Sequence, residues 1–405
     1  MNVVELLKEH NQDQVIAWYE KLDDAGKKKL EKQVSQLDWN LLELLKHNKE
    51  TQERGKLEPL SAVEVQEIEK NKAKYEEIGL TAIREGKVGA VLLAGGQGTR
   101  LGFDKPKGMF NVGETKEVYI FERLVRNLMD VTDKAGVFVP LYVMTSDKNN
   151  DDTVAFFKEK NYFGYPEEYV KFFIQDMAPA VDYNGKLYME GKDQLALSPN
   201  GNGGWFASMD KAGILEDVHK RGVEWLNVFA VDNVLQRIAD PAFVGATIDS
   251  GCVSGSKVVR KADPNERVGV LCLEDGKPSI VEYYEMTEEI INSRNANGDL
   301  SYNFGVILNY LFRVDKLEEI MNTTMPTHIV EKKIPYIDAE GNMVKPEEPN
   351  GYKFEMLVLD MIHLLDNCLS YEVVRNKEFA PIKNKTGVDS VESARALLKE
   401  NGVEL

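Results

Sequence analysis

The chain has 405 residues, with 50 Lys and Arg against 67 Asp and Glu and a formal net charge of −17. Its length allows two or three domains around a large core, and its acidic balance argues against general binding to nucleic acid or anionic membranes. Cys252, Cys272 and Cys368 are too few and too scattered for a disulfide framework or a metal-ligand pattern. With no apolar run long enough to span a membrane and no leader pattern, we expect a reduced, cytoplasmic protein.

Residues 1–86 are charged, poor in glycine and helical in period. Apolar residues such as Leu6, Leu7, Val15 and Ile16 recur at spacings that give a helix one apolar face, and Glu and Lys fill the remaining positions. We interpret this part as a packed helical region with a solvated outer face, and we find no catalytic or binding pattern in its sequence.

A glycine loop follows a predicted buried strand. Residues 88–94 form a short apolar run that leads directly into three glycines within residues 95–98. Glycine lets the backbone turn sharply and present its amides to an anion. Arg100, Lys105 and Lys107 add positive charge within a few residues. The sequence therefore predicts a phosphate site, with a purely structural tight turn as the alternative.

Two familiar phosphate-binding patterns do not fit this loop. A P-loop needs Lys and then Ser or Thr after its last glycine, but Thr99 and Arg100 follow Gly98. The dinucleotide pattern needs a third glycine where Leu101 stands. The loop belongs to another class of phosphate site.

Beyond the loop, helical and strand patterns alternate. We predict helices near residues 118–128 and 151–160 and strands at 140–144 and 170–174. This alternation predicts an α/β fold with a doubly wound, mostly parallel, Rossmann-like sheet, whose ligands bind at the carboxyl ends of the strands. Gln175 falls at such an end.

A strand over residues 225–231 is followed directly by Asp232. A carboxylate beside a phosphate site at a strand end is a natural Mg²⁺ ligand. Capping a helix that begins at Val234 is an equally good interpretation, since Asp is a frequent N-cap.

Later segments carry further structural predictions. Residues 268–273 and 279–284 are predicted to pair as a hairpin with Glu282 on its second strand. An amphipathic helix is predicted from Lys353 to Leu365, and a short helix over residues 391–399. A second glycine-rich loop, residues 198–205, is interpreted as a close approach of the backbone to a planar base, with a flexible surface loop as the alternative.

The segment from Val91 to Phe110 resembles the signature of the UDP-N-acetylglucosamine pyrophosphorylases, Leu-Ala-Gly-Gly-Gln-Gly-Thr-Arg-Leu-Gly followed by Pro-Lys-Gly. UDP-glucose pyrophosphorylases of the same superfamily carry Gly-Leu-Gly-Thr-Thr-Met-Gly and Pro-Lys-Ser instead. The resemblance extends from Val88 to Lys399. Other stretches that resemble this family, in the same order, are 142–146, 202–204, 231–233, 239–241, 257–259, 281–283, 332–336, 349–351 and 379–384.

The resemblance implies an α/β nucleotidyltransferase that converts UTP and N-acetylglucosamine 1-phosphate into UDP-N-acetylglucosamine and pyrophosphate. It implies Mg²⁺ or Mn²⁺ as cofactor, small-molecule substrates as the partners rather than nucleic acid or membrane, and a monomer or weak homodimer. The residues that it implies are Arg100, Lys107 and Lys383 for catalysis, Ala94, Gly95, Gly96, Gln175 and Gly203 for the nucleotide, Asn202, Glu282, Asn303 and Gly269 for the sugar, and Asp232 for the metal.

The predicted domains are an N-terminal helical region over 1–86, a central nucleotidyltransferase domain over 87–383 and a short C-terminal tail over 384–405. The family's strand-rich C-terminal domain is expected to be missing. Two functional alternatives stay open: another sugar 1-phosphate, namely that of N-acetylgalactosamine, glucose or galactose, and a non-catalytic sensor of sugar nucleotides.

Overall fold

A computed structural model describes residues 2–45, 54–321, 323 and 325–405. Contacts divide the chain into two units, each built from separated segments. The minor unit comprises the described parts of Met1–Glu53, Asp176–Gly204 and Met325–Val358, and the major unit comprises the described parts of Arg54–Gln175, Trp205–Thr324 and Leu359–Leu405. The consecutive domains predicted over 1–86, 87–383 and 384–405 remain a prediction.

The α-helices in the described residues are α1 (Val3–Glu9), α2 (Asp13–Tyr19), α3 (Asp24–Ser35), α4 (Asn40–Leu44), α5 (Val65–Arg84), α6 (Ile120–Ala135), α7 (Asn150–Glu159), α8 (Trp205–Lys211), α9 (Ile214–Arg221), α10 (Pro241–Asp249), α11 (Glu288–Asn292), α12 (Val314–Met321), α13 (Val358–Leu364), α14 (Arg375–Glu378) and α15 (Val391–Glu400). None of these helices is both long enough and apolar enough to cross a membrane.

The strands in the described residues are β1 (Leu57–Pro59), β2 (Val88–Leu93), β3 (Leu141–Thr145), β4 (Val170–Ile174), β5 (Met177–Pro179), β6 (Val181–Asp182), β7 (Met189–Gly191), β8 (Gln194–Leu195), β9 (Leu197–Pro199), β10 (Trp225–Ala230), β11 (Ser254–Arg260), β12 (Val270–Glu274), β13 (Lys277–Val281), β14 (Phe304–Arg313), β15 (His328–Lys332), β16 (Tyr336–Ile337), β17 (Met343–Val344), β18 (Gly351–Glu355) and β19 (Leu369–Glu372).

The major unit is organised around one large sheet, in the order β1-β12-β14-β10-β2-β3-β4. Off this order, β13 pairs with β12, β11 pairs with β14, and β19 pairs with β11. Strands β10, β2, β3 and β4 run parallel and form one end of the sheet, while β14 runs antiparallel to β10, β11 and β12. All six residues of β2 are buried, as expected for a strand covered on both faces. The predicted α/β fold, in which parallel strands alternate with helices, is confirmed.

The minor unit combines the N-terminal helices with short strands. Its three-stranded sheet has the order β15-β18-β6, and both pairings are antiparallel. Its apolar core includes Leu7, Val15 and Leu30 from the helices and Phe354 from β18. The helical spacing predicted for the N-terminal region is therefore confirmed for α1 to α3, whose apolar faces form this core.

Three local predictions need correction. Residues 351–355 form β18 and a helix begins only at Val358, because β18 pairs with β15, a partner that local spacing does not indicate. No helix begins at Val234; the next helix is α10, because Asn233 is bonded to residues near position 380. Glu282 lies one residue beyond the end of β13 rather than on it.

Helices α5 and α10 pack through glycine at very short range. A β-carbon added to Gly79 of α5 would lie 1.9 Å from the carbonyl oxygen of Pro241, and one added to Gly245 of α10 would lie 1.8 Å from that of Tyr75. This close contact fixes the start of α10, where Asp240 caps the helix by accepting from the Ala242 amide at 3.3 Å.

Gly79→Ala is expected to destabilise the protein, although glycine to alanine in a helix ordinarily stabilises by about 1 kcal/mol. The new methyl group meets the backbone of α10, and overpacking of this kind costs roughly 1–3 kcal/mol. Urea unfolding of Gly79→Ala and of the exposed control Glu77→Ala measures the difference. A Gly79→Ala protein as stable as the wild type would contradict this packing.

Candidate active site

The glycine loop leaves the end of β2 and folds back on itself. The Ala94 amide donates to the Met144 carbonyl (2.8 Å), which ties the loop to the neighbouring strand β3. Further along, the Gly98 amide donates to the Lys105 carbonyl (2.9 Å) and the Lys107 amide donates to the Gly96 carbonyl (3.1 Å). These bonds bring Lys107 back next to the glycines at the start of the loop.

Asn149, which the sequence interpretation did not single out, anchors the start of this loop. It is fully buried, and its Nδ2 donates to the Ala94 carbonyl (3.0 Å) while its Oδ1 accepts from the Ser146 amide (2.7 Å). The sequence feature that could have indicated Asn149 is its position in the polar segment 146–149, which lies between β3 and α7. An Asn at such a position binds backbone groups readily.

Gly95 and Gly96 serve different purposes. A β-carbon on Gly95 would lie 2.8 Å from Nε2 of Gln175, whereas one on Gly96 would meet nothing within 4 Å. Gln175 is itself buried, and its backbone N–H donates to the Thr145 carbonyl at 2.9 Å. Among the described residues no acceptor bonds the amide of Gly95 or Gly96. The loop thus places two available amides and one carboxamide at adjacent strand ends.

The charged residues predicted for catalysis lie within electrostatic reach of one another. Burial is the largest cause that lowers the pKa of Lys107 below its ordinary value; the charges of Arg100 and Lys383 lower it further, and that of Asp232 opposes them. No ion pair in the described part of the chain includes Arg100 or Lys107. Arg100, Lys107, Lys383 and Asp232 therefore lie near one another at the edge formed by the ends of β2 and β10.

Lys383 reaches this edge on a segment that we call the strap, residues 378–383. Asn233 holds the strap from both sides, because its Nδ2 donates to the Glu378 carbonyl (2.8 Å) and its Oδ1 accepts from the Ala380 amide (2.9 Å). The Ile382 amide donates to the Asp232 carbonyl at 2.9 Å. Beyond the strap, Asp389 Oδ2 accepts from Lys383 Nζ at 3.1 Å.

The candidate sugar residues of the major unit gather where β12 and β13 meet β14. Val270 pairs with both Val281 and Gly305, which brings the flanking residues Gly269, Glu282 and Asn303 to one region. Asn303 is buried, and its Oδ1 accepts from the Lys261 amide at 3.3 Å. The Glu282 carboxylate approaches the position of a Gly269 β-carbon to 3.2 Å.

Asn202 and Gly203 belong to the minor unit. The Gly203 amide donates to the Met356 carbonyl at 2.8 Å, and Asn202 Oδ1 accepts from the Val358 amide at 3.0 Å. A β-carbon on Gly203 would lie 2.6 Å from the backbone of Leu357, so only glycine fits there. The roles predicted for these two residues remain predictions.

Asp232 is the candidate metal ligand. No group of three or more His, Cys, Asp and Glu side chains in the described residues is arranged to hold a metal ion. Mg²⁺ in nucleotide enzymes is commonly bound by one or two carboxylates together with substrate phosphates and water. A single carboxylate beside three cations fits such an ion only when the phosphates supply further oxygen ligands.

This fold and loop define a nucleotidyltransferase-like α/β protein. Residues 25–405 match the family model described as UTP–glucose-1-phosphate uridylyltransferase, and the chain belongs to that family. It is 42% identical to the UDP-N-acetylhexosamine pyrophosphorylase-like protein 1 of Mus musculus over 79% of this chain and 65% of that protein. It is 34% identical to the probable UDP-N-acetylglucosamine pyrophosphorylase of Dictyostelium discoideum over 97% of this chain and 85% of that one.

A solved structure is similar along nearly the whole chain. The UDP-N-acetylglucosamine pyrophosphorylase from Trypanosoma brucei, in complex with an inhibitor, has a TM-score of 0.83 and 29% identity, and the match covers 98% of this chain and 83% of that one. The resemblance to pyrophosphorylases of this name is thereby confirmed. The chain spans less than two thirds of the length of the UDP-N-acetylhexosamine pyrophosphorylase-like relatives from mouse, human and frog.

The pKa of Lys107 provides a direct test of the charge grouping. Lys383→Met removes a neighbouring positive charge and is expected to raise the pKa of Lys107, whereas Asp232→Asn removes the opposing negative charge and is expected to lower it. Titration of the Lys107 ¹³Cε signal, assigned with Lys107→Arg, measures both shifts. Lys171→Met, which removes one of the partners of Asp217, is the control and should leave the signal unchanged. Shifts of the opposite sign would contradict the grouping.

Proposed function

We propose that this protein is a uridylyltransferase that makes UDP-N-acetylglucosamine and pyrophosphate from UTP and N-acetylglucosamine 1-phosphate. The observation that carries the proposal is the grouping of Arg100 and Lys383 near Lys107, which the glycine loop returns to Gly96, in a chain whose net charge is −17. Family membership and the names of the relatives support the same reaction. We further propose a cytoplasmic enzyme that is a monomer or weak homodimer.

The reaction needs positioning and charge neutralisation rather than a protein nucleophile. A phosphate oxygen of the sugar phosphate attacks the α-phosphorus of UTP in line; a new P–O bond forms as the bond to the β-phosphate oxygen breaks, and pyrophosphate leaves. Both substrates are anions, so their approach is opposed by repulsion. Lys107 and Arg100 neutralise the triphosphate from the loop, and Lys383 does so from the strap.

Asp232 would hold a Mg²⁺ or Mn²⁺ ion together with phosphate oxygens. The bound ion supplies additional positive charge to the transferring phosphate. Because Asp232 lies beside Lys107, it also keeps part of the positive charge balanced before the substrates bind.

The nucleotide is held by the start of the loop. The amides of Gly95 and Gly96, next to Ala94, donate to the nucleotide, and the open space at Gly96 admits it. The buried Gln175 carboxamide presents both a donor and an acceptor, which suits the edge of uracil. A base whose donors and acceptors are arranged differently from those of uracil would leave the donor and acceptor of Gln175 unpaired.

The sugar is recognised by the group around Gly269. Glu282 accepts from sugar hydroxyls. Since Oδ1 of Asn303 already accepts from the Lys261 amide, its Nδ2 is the group that donates to the N-acetyl carbonyl. This division gives each side chain a separate part of the sugar to bind.

Pyrophosphate release from UTP, Mg²⁺ and a panel of sugar 1-phosphates tests the proposal. We expect the highest kcat/KM with N-acetylglucosamine 1-phosphate, and a UDP-sugar product identified by mass spectrometry. A higher value with the phosphate of N-acetylgalactosamine, glucose or galactose would reassign the substrate. Tight binding of UDP-sugars with no pyrophosphate release from any sugar would overturn the proposal in favour of a sensor.

Lys107→Ala is expected to lower kcat by about 10²-fold, as for loss of one preorganised charge in an active site. Lys105→Ala is the matched control, because Lys105 lies in the same loop but is exposed and paired with Asp152 at 3.2 Å. Its kcat should stay near that of the wild type. Equal turnover in a folded Lys107→Ala protein would remove Lys107 from the mechanism.

Asn303→Ala is expected to lower kcat/KM for N-acetylglucosamine 1-phosphate more than for glucose 1-phosphate, because only the former loses a hydrogen-bond partner, worth roughly 1–3 kcal/mol. Glu282→Ala should weaken both substrates alike. If Asn303 only supports the Lys261 amide, its loss would lower the melting temperature and leave the ratio of the two substrates unchanged.

A further inference from the structure

Lys257 is a buried cation that the mechanism above does not use. It lies on β11, and its side chain is fully buried. Its Nζ donates to Asp240 Oδ2 (3.0 Å), to Glu378 Oε2 (2.5 Å) and to the Arg237 carbonyl (3.3 Å). An ammonium ion is placed in a protein interior at a high desolvation cost unless its partners are well arranged, and here all three of its donors have one.

The partners of Lys257 belong to the two segments that carry Asp232 and Lys383. Asp240 and Arg237 lie on the connection that follows Asp232 and leads to α10, and Glu378 begins the strap. Lys257 therefore joins the strap to the connection between β10 and α10, and Asn233, on the same connection, bonds the strap directly.

The strand β14, which pairs with β11 beside Lys257, contains an irregularity. Along β11 the register advances by two residues from Ser256 to Val258, while their partners on β14 move by four, from Tyr310 to Val306. Within this bulge Leu308 has a positive φ of 53°, and Asn309 Nδ2 donates to the same Arg237 carbonyl that Lys257 contacts (3.3 Å). Bulges of this kind redirect side chains near active sites.

The charges of the cluster balance. Arg237 lies 3.5 Å from Asp240, so two cations face two carboxylates. Burial raises the pKa of Glu378. Burial also opposes the charged form of Asp240, but Lys257 and Arg237 outweigh it and hold the pKa of Asp240 below its ordinary value. Loss of Lys257 alone would leave two buried carboxylates with one cation.

We propose that Lys257 is a positioning residue that clamps the strap against the segment following Asp232 and so fixes Lys383 at the phosphates. The proposal rests on the uridylyltransferase activity proposed above. Lys257 contacts neither substrate; it acts through Glu378 and the strap. Its removal should therefore change the rate of the chemical step rather than the binding of sugar phosphate.

The test uses a charge-balanced variant. Lys257→Met alone leaves unpaired buried charge and risks unfolding, so the main variant is Lys257→Met/Glu378→Gln, which leaves Arg237 and Asp240 as a pair. Lys171→Met is the matched control, because it removes the ion pair between Lys171 on β4 and Asp217 on α9. Thermal unfolding confirms that both variants are folded before either is assayed.

Two measurements separate positioning from general stability. Hydrogen exchange at the Ala380 and Ile382 amides, which bond to Asn233 and Asp232, should become faster in the Lys257 variant and stay unchanged in the control. The kcat should fall roughly tenfold or more, while KM for the sugar phosphate is retained. In a Lys383→Ala background the Lys257 variant should cause little further loss, because both changes remove the same contribution.

Unchanged exchange and unchanged kcat in the folded double variant would overturn the proposal. So would a loss that simply adds to that of Lys383→Ala, because Lys257 would then act by another route. Absence of pyrophosphate release in the wild type is a distinct result: it refutes the proposed activity, while the exchange measurement still decides whether Lys257 holds the strap.

Discussion

Repulsion between like charges is the constraint on which the rest of the site depends. Lys107 is partly withdrawn from water within reach of Arg100 and Lys383; the charge of Asp232 opposes their effect on Lys107, and Asp389 pairs with Lys383. Such an arrangement raises the free energy of the empty site and favours anions that enter it. The surrounding fold must hold these charges together, and buried hydrogen bonds of Asn149, Asn233 and Lys257 lie in the segments that do so.

Each feature of the edge holds one of the charges. The parallel pairing of β10 with β2 places Asp232 and the glycine loop at neighbouring strand ends. The return of the loop, anchored by Asn149, places Lys107 beside Gly96. Asn233 and the buried Lys257 cluster hold the strap, which carries the remaining lysine. The backbone geometry thus assembles the site, and hydrogen bonds from buried polar side chains hold its segments in place.

The sequence predicts the parts of this arrangement that are local. The apolar run of β2 and its glycines indicate strand and turn by themselves, and the strand at residues 170–174 has the predicted limits. The contacts of the strap do not follow from local pattern, because Asn233 and Glu378 lie 145 residues apart. The same holds for β18, where pairing with β15 overrides a helical spacing. Asp232, equally suited to capping or metal binding in the sequence, loses the capping role because no helix follows it directly.

A crystal structure of the protein with UTP would test the central claim most directly. The account predicts that the phosphates lie against the Gly95 and Gly96 amides, within hydrogen-bonding distance of Lys107 and Lys383, with the base at Gln175. A structure in which UTP binds with its phosphates away from both lysines would contradict it.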